Sequence, residues 1–337
     1  MTIAVAADLV IRDSAGVAAT AMAAEIEQAN PNPQRRLRNV RMTYGTMRRR
    51  HVHALIAVGI SAVSLTGCTG STPTETGLYV TSTGPAGMAD RIPISEFKPD
   101  RQGPFPAIVI LHDCSGLGPN SGGAPRRWAR ELVGRGYVVL IPNSFSPRGH
   151  ADGVCTVPVR LRRTDVGPQT RARDANAALA YLRTLPYVDG RRVGVMGGSH
   201  GGSSTLATMA TPPDAPVRFT AGIALYPSCA VPPGVPEGRV SRPVAPLLIL
   251  IGDKDEWTPA GPCRKLTEAA RAAGHPVSIK IYPGAHHSFD SHYPVRYVEA
   301  RINPNAPNGH GATTGGDPEA WADSIREVVA FFGQHLK

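Results

Sequence analysis

From about residue 77 onward, short apolar runs bounded by glycine and proline alternate with helix-like stretches. No other feature of the 337-residue chain limits its fold so strongly. The runs are residues 107–111 (Ala-Ile-Val-Ile-Leu), 137–141, 193–196, 221–225 and 247–251, and residues 278–282 alternate instead. Continuous apolar runs of this length suit strands covered on both faces. Between them, residues 126–135, 170–185, 203–210, 263–273 and 318–336 read as helices. Strands alternating with helices imply an α/β architecture: a mostly parallel central sheet with helices on both faces. No internal repeat or linker divides residues 77–337, so they are expected to form one domain.

Composition excludes several classes. No stretch reaches the roughly 18–20 consecutive apolar residues of a spanning helix. The formal net charge is +10, which raises the question of an anionic partner. Part of that charge lies before residue 51, in Arg35, Arg36, Arg38, Arg41 and Arg48 to Arg50, and the rest is scattered among acids. With no basic stripe or recognition motif, and aromatics at only 6%, nucleic acid is not an expected partner.

The N-terminal region reads as a targeting segment. Residues 47–53 are Met-Arg-Arg-Arg-His-Val-His, residues 54–65 are mostly apolar, and Leu65-Thr66-Gly67-Cys68 follows. A positive start, a short apolar run and small residues make a secretory signal. The tetrapeptide resembles the bacterial lipobox, which implies a signal peptide over 47–67 and lipidation of Cys68. Lipid there would hold the chain at the bacterial cell envelope after export. Residues 68–76 read as a Ser/Thr/Gly-rich tether. Residues 1–46 precede the signal and read as a disordered extension or a start-site artefact. Export makes Cys114, Cys155, Cys229 and Cys263 candidates for at least one disulfide. Cys229 with Cys263 is the first expectation, since each follows shortly after a strand on the same edge. None has zinc-like spacing, and no metal or organic cofactor is expected.

Residues 193–202 read Val-Gly-Val-Met-Gly-Gly-Ser-His-Gly-Gly and contain Gly197-x-Ser199-x-Gly201. An apolar strand before the motif and a small-residue helix after it make the setting of a nucleophile elbow, with Ser199 at its apex. A serine hydroxyl needs a base, and in this setting an acid and then a histidine follow in chain order. The strand at 247–251 is followed by Asp253, Asp255 and Glu256, all competing to be the acid. The strand at 278–282 is followed by His286, His287 and, farther on, His292. The oxyanion of a tetrahedral intermediate needs backbone N–H donors. The residue after the nucleophile, His200, supplies one. The loop after an early strand supplies the other, with Cys114 the candidate and Asp113 next. His112 reads as a loop-packing histidine.

Together the elbow, the acid loop, Tyr282-Pro283-Gly284-Ala285-x-His287 and Pro142-Asn143-Ser144-Phe145-x-Pro147-Arg148-Gly149 resemble the dienelactone hydrolase family of the α/β-hydrolase superfamily, over roughly residues 100–337. The resemblance implies that Gly252-x-x-Asp255-x-x-x-Pro259 carries the acid. It also implies that the base stands two residues before an aromatic, which selects His287 before Phe289. The founding enzymes use a cysteine nucleophile, whereas this chain has Ser199, which points to a more general esterase. The expected activity is therefore serine hydrolysis of carboxylic esters or lactones, with a small-molecule substrate. Alternatives are a thioesterase, acyltransferase or peptidase using the same triad, or an idle lipid-anchored binding protein on the same fold. Residues 144–169 are expected to cap the pocket, where Arg148 would meet an anionic substrate or form a structural salt bridge.

Overall fold

The computed structural model describes residues 77–84, 87–119, 121–158, 165–210, 218–230 and 242–336. The expected extension, signal peptide, Cys68 and tether lie outside these residues. Ten strands are described: β1 Tyr79–Thr83, β2 Ala89–Phe97, β3 Phe105–Leu111, β4 Val138–Pro142, β5 Val188–Gly198, β6 Ala221–Leu225, β7 Leu247–Gly252, β8 Val277–Tyr282, β9 Arg296–Ile302 and β10 His310–Thr314. The described helices are α1 Ala124–Val133, α2 Pro168–Leu182, α3 His200–Met209, α4 Ala260–Ala272 and α5 Pro318–His335.

β1 to β8 form one sheet in the order β1-β2-β4-β3-β5-β6-β7-β8. β2 pairs antiparallel with β1 and β4, and every pairing from β4 through β3 to β8 is parallel. All residues of β4, β6 and β7 are buried. Their unbroken apolar runs follow from the absence of a solvent face. Helices cover both faces of this sheet, as expected from the alternation. α1 and α5 meet through Trp128 and Trp321, whose ring centroids are 4.6 Å apart. α2 packs on α3. The N-terminus of α5 is capped by the Asp317 carboxylate, which accepts from the Glu319 and Ala320 N–H groups at 3.0 Å, meeting donors the first helical turn leaves unpaired.

Two hairpins were not anticipated. β1 and β2 extend one edge of the sheet, and β9 and β10 form a separate two-stranded ribbon. The polar β9 exposes most of its residues, so it lacks the apolar signature used to find the other strands.

The strand order positions the site. From β3 the chain moves outward to β4 and then returns to β5 on the opposite side of β3. Such a reversal opens a crevice beyond the carboxyl ends of the strands. Leu111 pairs with Gly197 at the ends of β3 and β5, so the loops leaving these strands lie side by side. Gly252 pairs with Tyr282 at the ends of β7 and β8, which brings the loops carrying Asp255 and His287 together.

Candidate active site

Ser199 occupies a turn that few side chains tolerate, with φ 54° and ψ −117°. Its N–H donates to the Leu225 carbonyl at 2.9 Å, fixing the turn against β6. Tight approach also explains Gly201, where any Cβ would collide with the Leu111 carbonyl. A non-glycine residue with positive φ is costly and persists only where its surroundings enforce it. The turn leaves Ser199 Oγ 2.9 Å from His287 Nε2.

His287 Nδ1 lies 2.8 Å from Asp255 Oδ2. The Asp255 carboxylate accepts three further hydrogen bonds: Trp257 N–H at 3.0 Å and Thr258 N–H at 2.8 Å on Oδ1, and the Thr258 hydroxyl at 2.8 Å on Oδ2. Ser199, His287 and Asp255 are all buried, with His287 fully so. The structure thus brings the three expected residues together in hydrogen-bonding sequence. Asp253 instead accepts from Gly284 N–H at 2.7 Å, tying the acid loop to the histidine loop. Glu256 accepts from Thr313 N–H at 2.7 Å. His286 is half-buried, and His292 is exposed and stacks on Tyr293.

The imidazole is held by neighbours the sequence did not single out. Tyr226 and Trp257 each place a ring centroid 4.8 Å from that of His287. The Tyr226 hydroxyl donates to Asp290 at 2.7 Å, and Trp128 Nε1 donates to the other Asp290 oxygen at 2.8 Å. Burial raises the Asp290 carboxyl above its ordinary range, while these two donors oppose the shift. Phe289 is fully buried against Tyr226 and Tyr282, beneath the histidine loop.

Cys114 lines the cleft beside Ser199 and His287. The Ser115 and Gly116 N–H groups are occupied within their own loop, on the Asp113 carboxylate and carbonyl. The Cys114 N–H has no such partner among the described residues. His200 opens α3, and its Nδ1 accepts from Arg171 Nη1 at 2.8 Å. Arg171 is fully buried, and that burial pulls its pKa down to about 9. His112 is also fully buried, which lowers its imidazole pKa well below the ordinary histidine range. It packs edge-on against Phe145, in agreement with a packing role.

The cleft opens to solvent, and Cys155, Trp257, Arg296 and Arg301 contribute to its walls. The segment 144–169 supplies Cys155 to this wall. The β9–β10 ribbon supplies Arg296, Arg301 and Thr314, and was not foreseen. Arg148 is not among the lining residues. It is almost completely buried and binds Asp174 through Nη1 and Nη2 at 2.7 and 2.9 Å, and Asp90 through Nε at 2.9 Å. The salt-bridge alternative therefore holds for Arg148. Both expected disulfide partners, Cys229 and Cys263, are joined, and Cys114 is joined to Cys155.

A mostly parallel eight-stranded sheet with its elbow, acid and histidine loops at the carboxyl edge defines an α/β-hydrolase. The dienelactone hydrolase family model matches residues 94–336, and the chain belongs to that family of ester-bond hydrolases. It is 28% identical over 213 residues to a protein of Methylorubrum extorquens described as a carboxymethylenebutenolidase, covering 61% of this chain and 70% of that protein. Over 204 residues it is 25% identical to a Bradyrhizobium protein described as a 2-oxo-3-(5-oxofuran-2-ylidene)propanoate lactonase, covering 59% and 79%. Among solved structures it resembles a dienelactone hydrolase-like promiscuous phosphotriesterase from metagenomic libraries. That match has a TM-score of 0.56 at 21% identity, over 78% of this chain and 99% of that one.

Proposed function

We propose that this chain is a serine hydrolase that cleaves carboxylic ester or lactone bonds through an acyl-enzyme on Ser199. The observation that carries the reading is the continuous contact from Ser199 Oγ through His287 to Asp255, at 2.9 and 2.8 Å, on a strained elbow. Ser199 Oγ attacks the carbonyl carbon as its proton passes to His287 Nε2. Asp255 faces Nδ1, orients the ring and stabilises the imidazolium that forms. The N–H groups of His200 and Cys114 receive the developing oxyanion. Collapse of the tetrahedral adduct breaks the ester C–O bond, and His287 returns the proton to the leaving oxygen. In a lactone that oxygen remains tethered to the acyl group. Water then repeats the sequence and releases the acid.

The test is hydrolysis of an aryl ester, with mass analysis after treatment with a phosphonate. Wild type is expected to turn over the ester and to gain one phosphonyl group on Ser199. Ser199→Ala should lose about 10⁴–10⁶-fold in kcat, as triad deletions do. A wild type with neither turnover nor adduct would favour the idle binding protein instead.

We also infer export and a lipid anchor on Cys68. Support comes from the charged, apolar and small-residue segments at 47–68, and from two disulfides, which persist in oxidising compartments. Intact mass of the bacterial product should show cleavage before Cys68 and added acyl chains. A Cys68→Ser variant that stays in the membrane fraction would overturn this.

A further inference from the structure

The Cys114–Cys155 disulfide joins two walls of the active-site cleft. Cys114 sits in the loop after β3, whose N–H groups are candidates for the oxyanion. Cys155 belongs to the segment that follows β4. Backbone contacts reinforce the junction. Val154 N–H donates to the Cys114 carbonyl at 2.7 Å. Gly153 takes φ +84° beside it, where a Cβ would stand 2.6 Å from that same carbonyl oxygen. The Cys155 carbonyl accepts from Ile302 N–H at 3.2 Å. The Ile302 carbonyl in turn accepts from Trp257 Nε1 at 2.9 Å, and the Trp257 ring packs on His287. The bond therefore stands at the head of a chain of contacts running from the oxyanion loop, through the wall segment and β9, to the catalytic base.

Around Cys114, Phe145, Val154, Cys155 and Val166 form a small apolar cluster separate from the main core. With Val157 and Trp257 packed against it, this cluster is still far smaller than the main core, so a covalent tie matters more here than there. The second disulfide provides the contrast. Cys229 and Cys263 are buried in the main core and do not line the cleft.

We propose that the Cys114–Cys155 disulfide is a positioning element that holds the Cys114 amide at the oxyanion, so that the enzyme reaches full activity only after this bond has formed. The inference rests on the serine-hydrolase reading above. The expected scale comes from two comparisons. Losing one oxyanion donor costs about 10²–10³-fold in kcat, and a displacement of about 1 Å at a reacting centre costs about 10²-fold. A loop that loses its covalent tie but keeps its backbone hydrogen bonds should fall short of both, at about 10–100-fold.

The experiment compares the oxidised protein, the same protein reduced with a water-soluble phosphine, the Cys114→Ser, Cys155→Ser double variant, and the Cys229→Ser, Cys263→Ser double variant. Reduction cleaves one S–S bond to two thiols while the phosphine becomes its oxide, with water supplying the oxygen. Opening Cys114–Cys155 should lower kcat for an aryl ester about 10–100-fold and leave KM within about threefold. It should also weaken binding of a trifluoromethyl ketone, which mimics the tetrahedral adduct, in proportion to kcat. Reoxidation of the reduced protein should restore kcat. The Cys229→Ser, Cys263→Ser variant should lose thermal stability and keep kcat within about twofold. A Cys114→Ser, Cys155→Ser variant with wild-type kcat and ketone affinity overturns the proposal. So does loss of kcat without loss of ketone affinity, or a reduced wild type that remains fully active with its four thiols titratable. If the oxidised wild type hydrolyses no ester, the serine-hydrolase reading fails and takes this inference with it. If only the variant keeps full activity, this inference fails alone.

Discussion

Thr258 offers the sharpest test of how the acid is held. Its hydroxyl lies 2.8 Å from Asp255 Oδ2, 3.0 Å from His287 Nδ1 and 3.1 Å from the Tyr226 carbonyl. The single hydroxyl proton is best placed on the carboxylate, the closer and charged acceptor. Thr258→Val keeps the shape and removes this contact. A hydrogen bond to a charged group contributes about 1.5–3 kcal/mol. Asp255 keeps its two bonds from the backbone N–H groups of Trp257 and Thr258, and its contact with His287. The loss should therefore sit toward the low end, at about 1–2 kcal/mol of transition-state stabilisation. At about 1.4 kcal/mol per tenfold, kcat/KM falls about 5–30-fold. The Tyr226 carbonyl also loses a neighbour, so Tm should drop by a few degrees. Thr258→Ser restores the hydroxyl and should recover most of the activity. Steady-state aryl-ester kinetics with a thermal melt for each variant decides the matter. If Thr258→Val stays within twofold of wild type, the hydroxyl does not support the acid. A loss of 10³-fold without change in Tm would mean that Thr258 does more than orient.

Two further outcomes follow from the same loops. His287→Ala should lose nearly as much activity as Ser199→Ala, and the double variant little more, because triad members act as a unit. His286→Ala should remain within about tenfold of wild type in the same assay, and the reverse pattern would shift the assignment by one residue. Asp290 contributes a pH dependence to stability. Burial raises its carboxyl above the unfolded value, so the native state binds that proton more tightly than the unfolded chain. The stability gained is fully present below the unfolded pKa and is lost as pH rises through the higher native one. Asp290→Asn removes this contribution. The Tm difference between wild type and variant should therefore shift in favour of wild type as pH falls from neutrality toward the ordinary carboxylate range, and an unchanged difference would refute the assignment.

The parts of the fold that could be read from the residues were those with a single environment. β3, β4, β6 and β7 are buried on nearly every position, and continuous burial writes continuous apolarity. β5 begins at Val188, earlier than its apolar run, because Asp189 to Arg192 extend a polar stretch at its start. α3 begins at His200, three residues before the expected start, because Gly201 and Gly202 answer to close backbone approach and not to helix propensity. β9 could not be read because most of its residues are exposed, and β10 because its five residues, His-Gly-Ala-Thr-Thr, carry no apolar run. In the site, Ser199, Asp255 and His287 were legible because each stands just beyond a strand end in a fixed chain order. Tyr226, Trp257 and Arg171 were not, since they act through packing and through hydrogen bonds to partners distant in sequence, and Thr258 was not, since a hydroxyl in a loop carries no mark of the carboxylate it serves.

The β9–β10 ribbon sits in the chain between the histidine and the last helix, outside the eight-stranded sheet, where an insertion can change length without disturbing the strands. It is nevertheless fastened to the base. Gly315 N–H donates to the His287 carbonyl at 3.0 Å, and the Ile302 carbonyl holds the Trp257 indole. On the proposed serine-hydrolase reading, a lineage that reshapes this ribbon to admit a new acyl group alters the support of His287 in the same step, so preference and turnover are expected to drift together. A directed-evolution library that seeks only a change of preference should vary exposed, cleft-lining positions such as Tyr293 and Arg296. It should leave Asn303, whose amide donates to the Gly311 carbonyl across the ribbon, and Gly315 untouched.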